Sequence, residues 1–594
     1  MPRAAFNFLI AACLVAGVAL MAFVVTDTGT GSATAALPAL SVAPAFVALL
    51  VGVAGMLGAV RRVFVAIDRW LGALRPQAYA LVLAAYAAVL IGYFLAVAMT
   101  AGRPLFPTWH DEMMTLLQAR MLSAGRVALP QHECAEFFDT FYVLVKPVYA
   151  SMYFPGAALA YALPVALGLP WAAWPLLIAA GMMLATQLVA ARVLGSRLLA
   201  LATTTAIAGL PAMGYVPTMS MSHTFATLLG MGLVYGWLRW RERPGVALAA
   251  ACGALAGWLA ITRPLESIAF CLPVAVAVLS TIRPANWRRV GLQIAVAVAA
   301  AMPFVALMLM QHVAVTGSPF DLPISLYTRQ EFVGLDTFDT QRDPAAFASK
   351  SELTQKQVMF RAFVAPLQSE HLSDTPLQAI AWRVRAILLT GLPDPLLIVA
   401  LPLSLLLIRR PAVRVLWAIV VLFVALYMTY HTYLPNYSVQ IAPALLTLVA
   451  ASSVAAVPAL GRRVENGRAA LALSVLALAT LAALRTPQAG MVGHGVETLR
   501  NVFGTFQQRV ASPALVLIRY DPSQSPHVEP VYNLAAAGID DNPIVLAHDL
   551  GPEKNRRIIA YYAARQPSRN LYYFDRRTLG LRQAGLVKDA ANQQ

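Results

Sequence analysis

The run Gln77–Met99, QAYALVLAAYAAVLIGYFLAVAM, carries no charged side chain. A helix needs about 20 such residues to cross the hydrocarbon core of a bilayer. Directly after it the chain changes character. Phe106 to Tyr161 holds Trp109-His110-Asp111-Glu112, a series of aromatics and the break Tyr153-Phe154-Pro155-Gly156. Hydrophobic helices do not need such a loop to fold. It reads as the mouth of an active site at a membrane surface.

Composition extends this reading to the whole chain. Hydrophobic residues make up 59% and charged residues 12% of the 594 positions. A soluble domain carries about 25% charged residues. Polar side chains are too few to coat a globule of this size, so the chain is a polytopic membrane protein. The formal net charge of +16 is dispersed in short clusters between apolar runs. That distribution is a topology signal and excludes a nucleic-acid-binding domain. Of four cysteines, Cys13, Cys252 and Cys271 lie in apolar runs and Cys134 does not. No spacing among them matches a metal site.

Hydropathy predicts a mainly α fold with about 13 transmembrane helices. Leu37–Val60 and Ala469–Leu484 are among them. Short loops with Arg61 and Arg62, Arg192 and Arg197, Arg239 and Arg241, Arg283, Arg409 and Arg410, and Arg462 and Arg463 fall on one face. Positive loops stay in the cytoplasm. This works if Phe154 to Gly168, interrupted by Pro155 and Pro164, lies along the outer surface without crossing. Three regions result: 1–76, an N-terminal hairpin and cytoplasmic loop; 77–486, a membrane catalytic domain with outer loops 100–170 and 311–385; and 487–594. In the last, Ala514–Ile518, Ile544–Leu546 and Asn570–Phe574 read as strands and Glu553–Arg565 as a helix. Strands alternating with a helix predict a small C-terminal α/β domain on the outer, periplasmic face.

Asp111 and Glu112 are the first candidates for chemistry. After Pro107 a helix starts near Asp111, with Met114, Leu117 and Met121 on one face. An ionised carboxylate at a lipid surface can take a proton from an acceptor hydroxyl. A bare Asp-Glu pair is more simply an N-cap with a solvated neighbour; the position beside aromatic and basic residues favours chemistry. Arg263, in Ile261-Thr262-Arg263-Pro264, stands where two apolar helices meet on the face that should lack arginine. A guanidinium there can grip a phosphate with two hydrogen bonds, or it can simply snorkel. Arg120, Arg126 and Lys146 are weaker phosphate candidates. His110, Tyr153, His223, His431, Tyr433 and Tyr437 are candidates for substrate contact. Lone histidines at span ends are usually interfacial hydrogen-bonders. A divalent metal is possible near them, but no ligand motif is present.

Taken together, Asp111-Glu112 after a span, Tyr153-Phe154-Pro155-Gly156, Gly253-Ala254-Leu255-Ala256-Gly257 leading to Arg263-Pro264, Thr316-Gly317-Ser318-Pro319-Phe320, and Tyr437 with Pro443 resemble the GT-C membrane glycosyltransferases. The nearest branch is that of the protein O-mannosyltransferases and the lipid A aminoarabinose transferases. The resemblance spans Tyr79 to Val457. It implies transfer of a sugar from a polyprenyl-phosphate carrier to an acceptor hydroxyl on a lipid, glycan or protein, with inversion, at the outer face of a bacterial inner membrane. It assigns the essential Asp to Asp111 and the carrier phosphate to Arg263. No nucleotide is needed for such a transfer, and a divalent metal stays open. The chain departs from the family at Ser222-His223, where many members have a second acidic residue, and at His431 to Tyr437, where many have an Arg-Tyr pair.

Three alternatives compete. A transporter or flippase for lipid-linked sugars would place charged residues within spans, whereas here they sit mostly at span ends. A ligase or polymerase of lipid-linked glycans would share the outer loops. A scaffold would depend on the tail after Thr486.

Overall fold

The computed structural model describes residues 3–26, 58–100, 105, 107–333, 348–366, 376–394, 397–428, 433–456, 493–534 and 536–592. Helices dominate. Among the described residues, four are long and apolar enough to cross a membrane: Pro76–Thr100, Trp171–Leu194, Trp287–Thr316 and Pro411–Met428. Arg197–Ala208 and Pro211–Thr218, bent by 74°, would together make a fifth. The expected spans Gly245–Ile261 and Leu265–Ile282 correspond to the shorter apolar helices Val246–Ala260 and Pro264–Leu279, and the segment read as not crossing contains the short apolar helix Gly156–Ala166. Leu37–Val60 lies mainly, and Ala469–Leu484 wholly, outside the described residues.

The short helices pack by close backbone approach. A Cβ on Gly253 would meet Ala297 O at 2.0 Å, and one on Gly257 would meet Ala301 Cα at 2.7 Å. Small residues four apart thus seat Val246–Ala260 directly on Trp287–Thr316, as helices pack where lipid offers no hydrophobic drive. The outer face of Trp287–Thr316 is left open, with only 6% of its apolar window buried. The seat fixes the turn that follows, Ile261 to Arg263, before Pro264 opens the next helix.

The C-terminal residues build a four-stranded sheet in the order Ile544–His548, Ala514–Arg519, Asn570–Asp575, Gly580–Leu586. The first three strands are parallel and the last antiparallel. Ala514–Ile518 is buried throughout, as a central parallel strand requires. The helix Pro552–Arg565 makes the crossover from the edge strand Ile544–His548 to Asn570–Asp575 on the far side of Ala514–Arg519.

Between sheet and bundle lies the helix His110–Ser123. Leu116 and Ala119 join the apolar cluster of the bundle, with Tyr161, Met182 and Phe225. Met113, Met114, Leu117 and Met121 join a second cluster with Phe137, Leu515, Ile558 and Tyr562. Most of the helix is buried because it is covered from both sides. Its N-terminus is therefore held rigidly where bundle and sheet meet.

Candidate functional site

The two adjacent carboxylates at that N-terminus have different surroundings. Glu112 is fully buried. One of its oxygens accepts from the backbone N–H of Thr108 at 2.9 Å and of Trp109 at 3.2 Å, and the other from the N–H of Ser220 at 3.0 Å. This is the glutamate half of a capping box, extended to tie the loop before Ser222. Its lone pairs are spent on backbone, so Glu112 braces the site. Asp111 is only partly covered, and Oδ1 accepts a hydrogen bond from the Tyr153 hydroxyl. Burial raises the Asp111 pKa above the usual aspartate value; the Tyr153 hydrogen bond lowers it, the Glu112 charge raises it and the Arg263 charge lowers it. Burial, with the Asp111 charge, holds the Tyr153 phenol well above its ordinary pKa, so it remains a donor.

Tyr153-Phe154-Pro155-Gly156 joins Asp111 to Arg263. The Tyr153 carbonyl accepts from Gln118 Nε2 at 3.2 Å and Gln311 Nε2 at 2.9 Å. Three residues on, the Gly156 N–H donates to Ile261 O at 2.8 Å, and the Trp258 indole donates to Gly156 O at 2.8 Å. Only glycine fits at 156, since a Cβ would meet Thr262 Oγ1 at 2.3 Å. Two residues beyond Ile261 stands Arg263. The break in the first loop is thus bonded to the turn that carries the arginine.

Arg263 is oriented on all sides. Nε donates to Glu266 Oε1 at 2.5 Å, Nη1 to Ser222 Oγ at 3.2 Å and Nη2 to the Tyr427 hydroxyl at 2.9 Å. The guanidinium carbon lies 5.0 Å from the centre of the Tyr437 ring. Tyr427 in turn donates to Glu266. His223 is buried, with Asn436 Nδ2 at 2.9 Å and Gln440 Nε2 at 3.2 Å from its two ring nitrogens. A neutral imidazole offers one donor and one acceptor, so one of these amides presents its oxygen. Tyr433 packs between Tyr427 and Tyr437, at 5.7 and 5.8 Å between ring centres. Asp111, Tyr153, Arg263 and Tyr437 retain exposed surface, while Glu112, Glu266, His223, Tyr427 and Gln440 are buried beneath them.

Other predicted residues are placed elsewhere. Arg120 is nine residues along its helix from Asp111, about 13 Å at 1.5 Å per residue, and donates to Leu534 O at 3.2 Å. It does not reach Arg263 and works as a strut to the C-terminal residues, as does Arg126, which donates to Ala537 O at 2.9 Å. Lys146 is exposed at a hairpin turn, and among the described residues no bond ties it to the Arg263 cluster. His110 is buried, with Nδ1 2.8 Å from the Tyr532 hydroxyl; burial pushes its pKa well down, so it is neutral. His431 lies outside the described residues. Among the described residues no three His, Cys, Asp or Glu gather to hold a metal ion.

Sequence reasoning missed Glu266, Tyr427 and Gln440. The i, i+3 spacing of Arg263 and Glu266 on a helix start is a signal for that pair. It also missed how the loops are locked. Lys356 Nζ donates to Asp139 Oδ1 and to Glu331 Oε1, each at 2.6 Å, uniting the loop after Pro76–Thr100 with the one after Trp287–Thr316. Arg557 and Arg565 on the Pro552–Arg565 helix pair with Glu136 and Glu133 of the first loop at 2.7 and 2.5 Å.

No family model and no curated protein matches the sequence. Among solved structures the chain is similar to ArnT from Cupriavidus metallidurans bound to undecaprenyl phosphate. The identity is 14% and the TM-score 0.45, over 83% of this chain and 89% of that one. It is similar to the Archaeoglobus fulgidus oligosaccharyltransferase in complex with zinc and sulfate at 12% identity and TM-score 0.41, over 70% of this chain and 56% of that one. It is also similar to the arabinofuranosyltransferase AftD from Mycobacteria at 16% identity and TM-score 0.37, over 83% and 35% of the two chains. At such low identity the chemistry of the site rests on its own residues.

Proposed function

We propose that this chain is a membrane glycosyltransferase of GT-C type. It moves a sugar from a polyprenyl-phosphate donor to an acceptor hydroxyl, at the outer face of a bacterial plasma membrane. The observation that carries the reading is the bonded path from Asp111 through Tyr153 and Gly156 to Ile261 and Arg263. It brings a proton acceptor and a guanidinium from distant parts of the sequence to one site beside apolar helices.

The chemistry is an inverting displacement. Asp111 takes the proton of the acceptor hydroxyl as the oxygen attacks the anomeric carbon from the side opposite the phosphate. The bond between that carbon and the phosphate oxygen breaks, and its electron pair leaves with the phosphate. Negative charge grows on the leaving phosphate, and Arg263 stabilises it most in the transition state. Glu266, Ser222 and Tyr427 fix the guanidinium before substrate arrives, so little reorganisation is needed. Tyr437 beneath Arg263 and Tyr153 beside Asp111 offer aromatic faces for the sugar. The C-terminal residues hold the first loop in place. The test is mass spectrometry of surface lipids and glycoproteins from cells with and without the gene. A pentose or hexose increment lost with the gene and restored by the wild-type chain supports the reading; identical profiles contradict it.

A further inference from the structure

A second polar site lies at the other end of the bundle, independent of the proposed reaction. Ser222, at the start of Ser222–Glu242, and Tyr427, near the end of Pro411–Met428, both hold Arg263. The opposite ends of these two helices, with the end of Trp174–Leu194, border an open cavity of about 350 Å³, on whose rim Arg241 and Arg410 are exposed. Ser222–Glu242 has 21 residues, about 30 Å at 1.5 Å per residue. The cavity is therefore about one hydrocarbon thickness away from Arg263.

Three arginines from three elements line it, Arg192, Arg241 and Arg410, against one carboxylate, Glu242. That carboxylate is already divided between Arg192 Nε at 3.1 Å and Arg239 Nη1 at 3.3 Å. Arg192 is also bonded to Leu188 O at 3.3 Å. Arg241 lies over the Trp237 ring at 5.4 Å. Among the described residues, neither Arg241 nor Arg410 has a carboxylate or carbonyl bonded to its guanidinium. Pro411–Met428 begins at the cavity, so the positive end of its dipole adds to the field. Leu238 and Val413 supply apolar wall.

We infer that this cavity binds a phosphate ester, and that the ester is the headgroup of an anionic phospholipid. Planar guanidiniums suit phosphate oxygens. Basic pockets between membrane helices at this depth take anionic headgroups, and the apolar wall receives the first carbons of the lipid. Arg243 and Arg409 are exposed on the same face but do not line the cavity, which makes them an internal control.

The experiment uses the purified full chain in detergent, with native mass spectrometry reading retention of dioleoylphosphatidylglycerol against dioleoylphosphatidylcholine. Each cavity arginine is worth about fivefold in affinity for an anionic lipid. The double variant R241Q/R410Q is expected to lose about twentyfold for the glycerol lipid and nothing for the choline lipid. R241K/R410K keeps most of the preference, which separates lost charge from lost fold. R243Q/R409Q leaves it unchanged. Equal losses in the two glutamine doubles, or no loss in R241Q/R410Q, would overturn the site in favour of a diffuse basic surface. Millimolar glycerol 3-phosphate or inorganic phosphate should not displace the lipid; full displacement dependent on Arg241 and Arg410 would overturn the lipid assignment in favour of a soluble phosphate.

Discussion

Two carboxylate-bearing regions of the loops invite comparison. At Lys356 one buried ammonium faces Asp139 and Glu331, both at 2.6 Å. At Asp111 a partly exposed carboxylate has a phenol on one oxygen and, among the described residues, no cation in contact; Arg263 acts on it through space. The first region has its one ammonium bonded to a carboxylate from each of two loops and serves to hold those loops together. The second keeps an acceptor facing open space, supported from below by groups that are themselves satisfied. Stability calls for closed valences, and chemistry calls for one left open at a controlled place.

The comparison breaks first at Asp111. Asp111→Asn keeps the size and the Tyr153 contact but cannot take a proton. Sugar transfer by purified protein should fall by about 10²–10⁴-fold with an unchanged melting temperature. Next comes Arg263→Gln, which removes the guanidinium and leaves Glu266 buried without it. Transfer should fall by about 10²–10³-fold, and donor binding should weaken with it. Lys356→Met should show the opposite pattern. It strands Asp139 beside Glu331 and destabilises by about 3–5 kcal/mol, read as a lower unfolding midpoint and earlier proteolysis in the loops. Donor binding at intact protein should stay near normal. A Lys356→Met protein with wild-type stability would erase the distinction between the regions.

The smallest effect sharpens the comparison through pH. Asp111 has a raised pKa because burial outweighs its hydrogen bond and Arg263. It acts as a base only when ionised, so activity should fall as pH drops through a value above that of an ordinary aspartate. Tyr153→Phe removes a hydrogen bond that favours the anion, which raises the pKa further. The acidic limb of kcat/KM should therefore move to higher pH, while the plateau falls by less than about tenfold. An acidic limb that moves down, or does not move, would show that the limb does not report Asp111.

The sequence made some of this legible for physical reasons. Apolar runs announce membrane helices because charge is costly in hydrocarbon. The seating is less visible: Gly253 and Gly257 let Val246–Ala260 approach the backbone of Trp287–Thr316, a tertiary contact that no local pattern announces. Arg263 stood out as an arginine on the wrong face. Its partners Ser222 and Tyr427 lie 41 and 164 residues away, and no local pattern links them. Asp111 and Glu112 look equivalent as letters; three backbone N–H groups separate their roles. The buried strands Ala514–Ile518 and Ile544–Leu546 were readable as apolar runs. The docking of their sheet onto the first loop uses Glu133 and Glu136, ordinary surface residues by type.

The central claim is that one site holds the carrier phosphate on Arg263 and turns the anomeric carbon toward Asp111. Cryo-electron microscopy of the chain with a non-hydrolysable polyprenyl phosphonate sugar tests it most directly. The account predicts phosphonate oxygens within about 3 Å of the Arg263 guanidinium, with the sugar between Tyr437 and Asp111. A phosphonate bound away from Arg263, or a sugar facing away from Asp111, would contradict it.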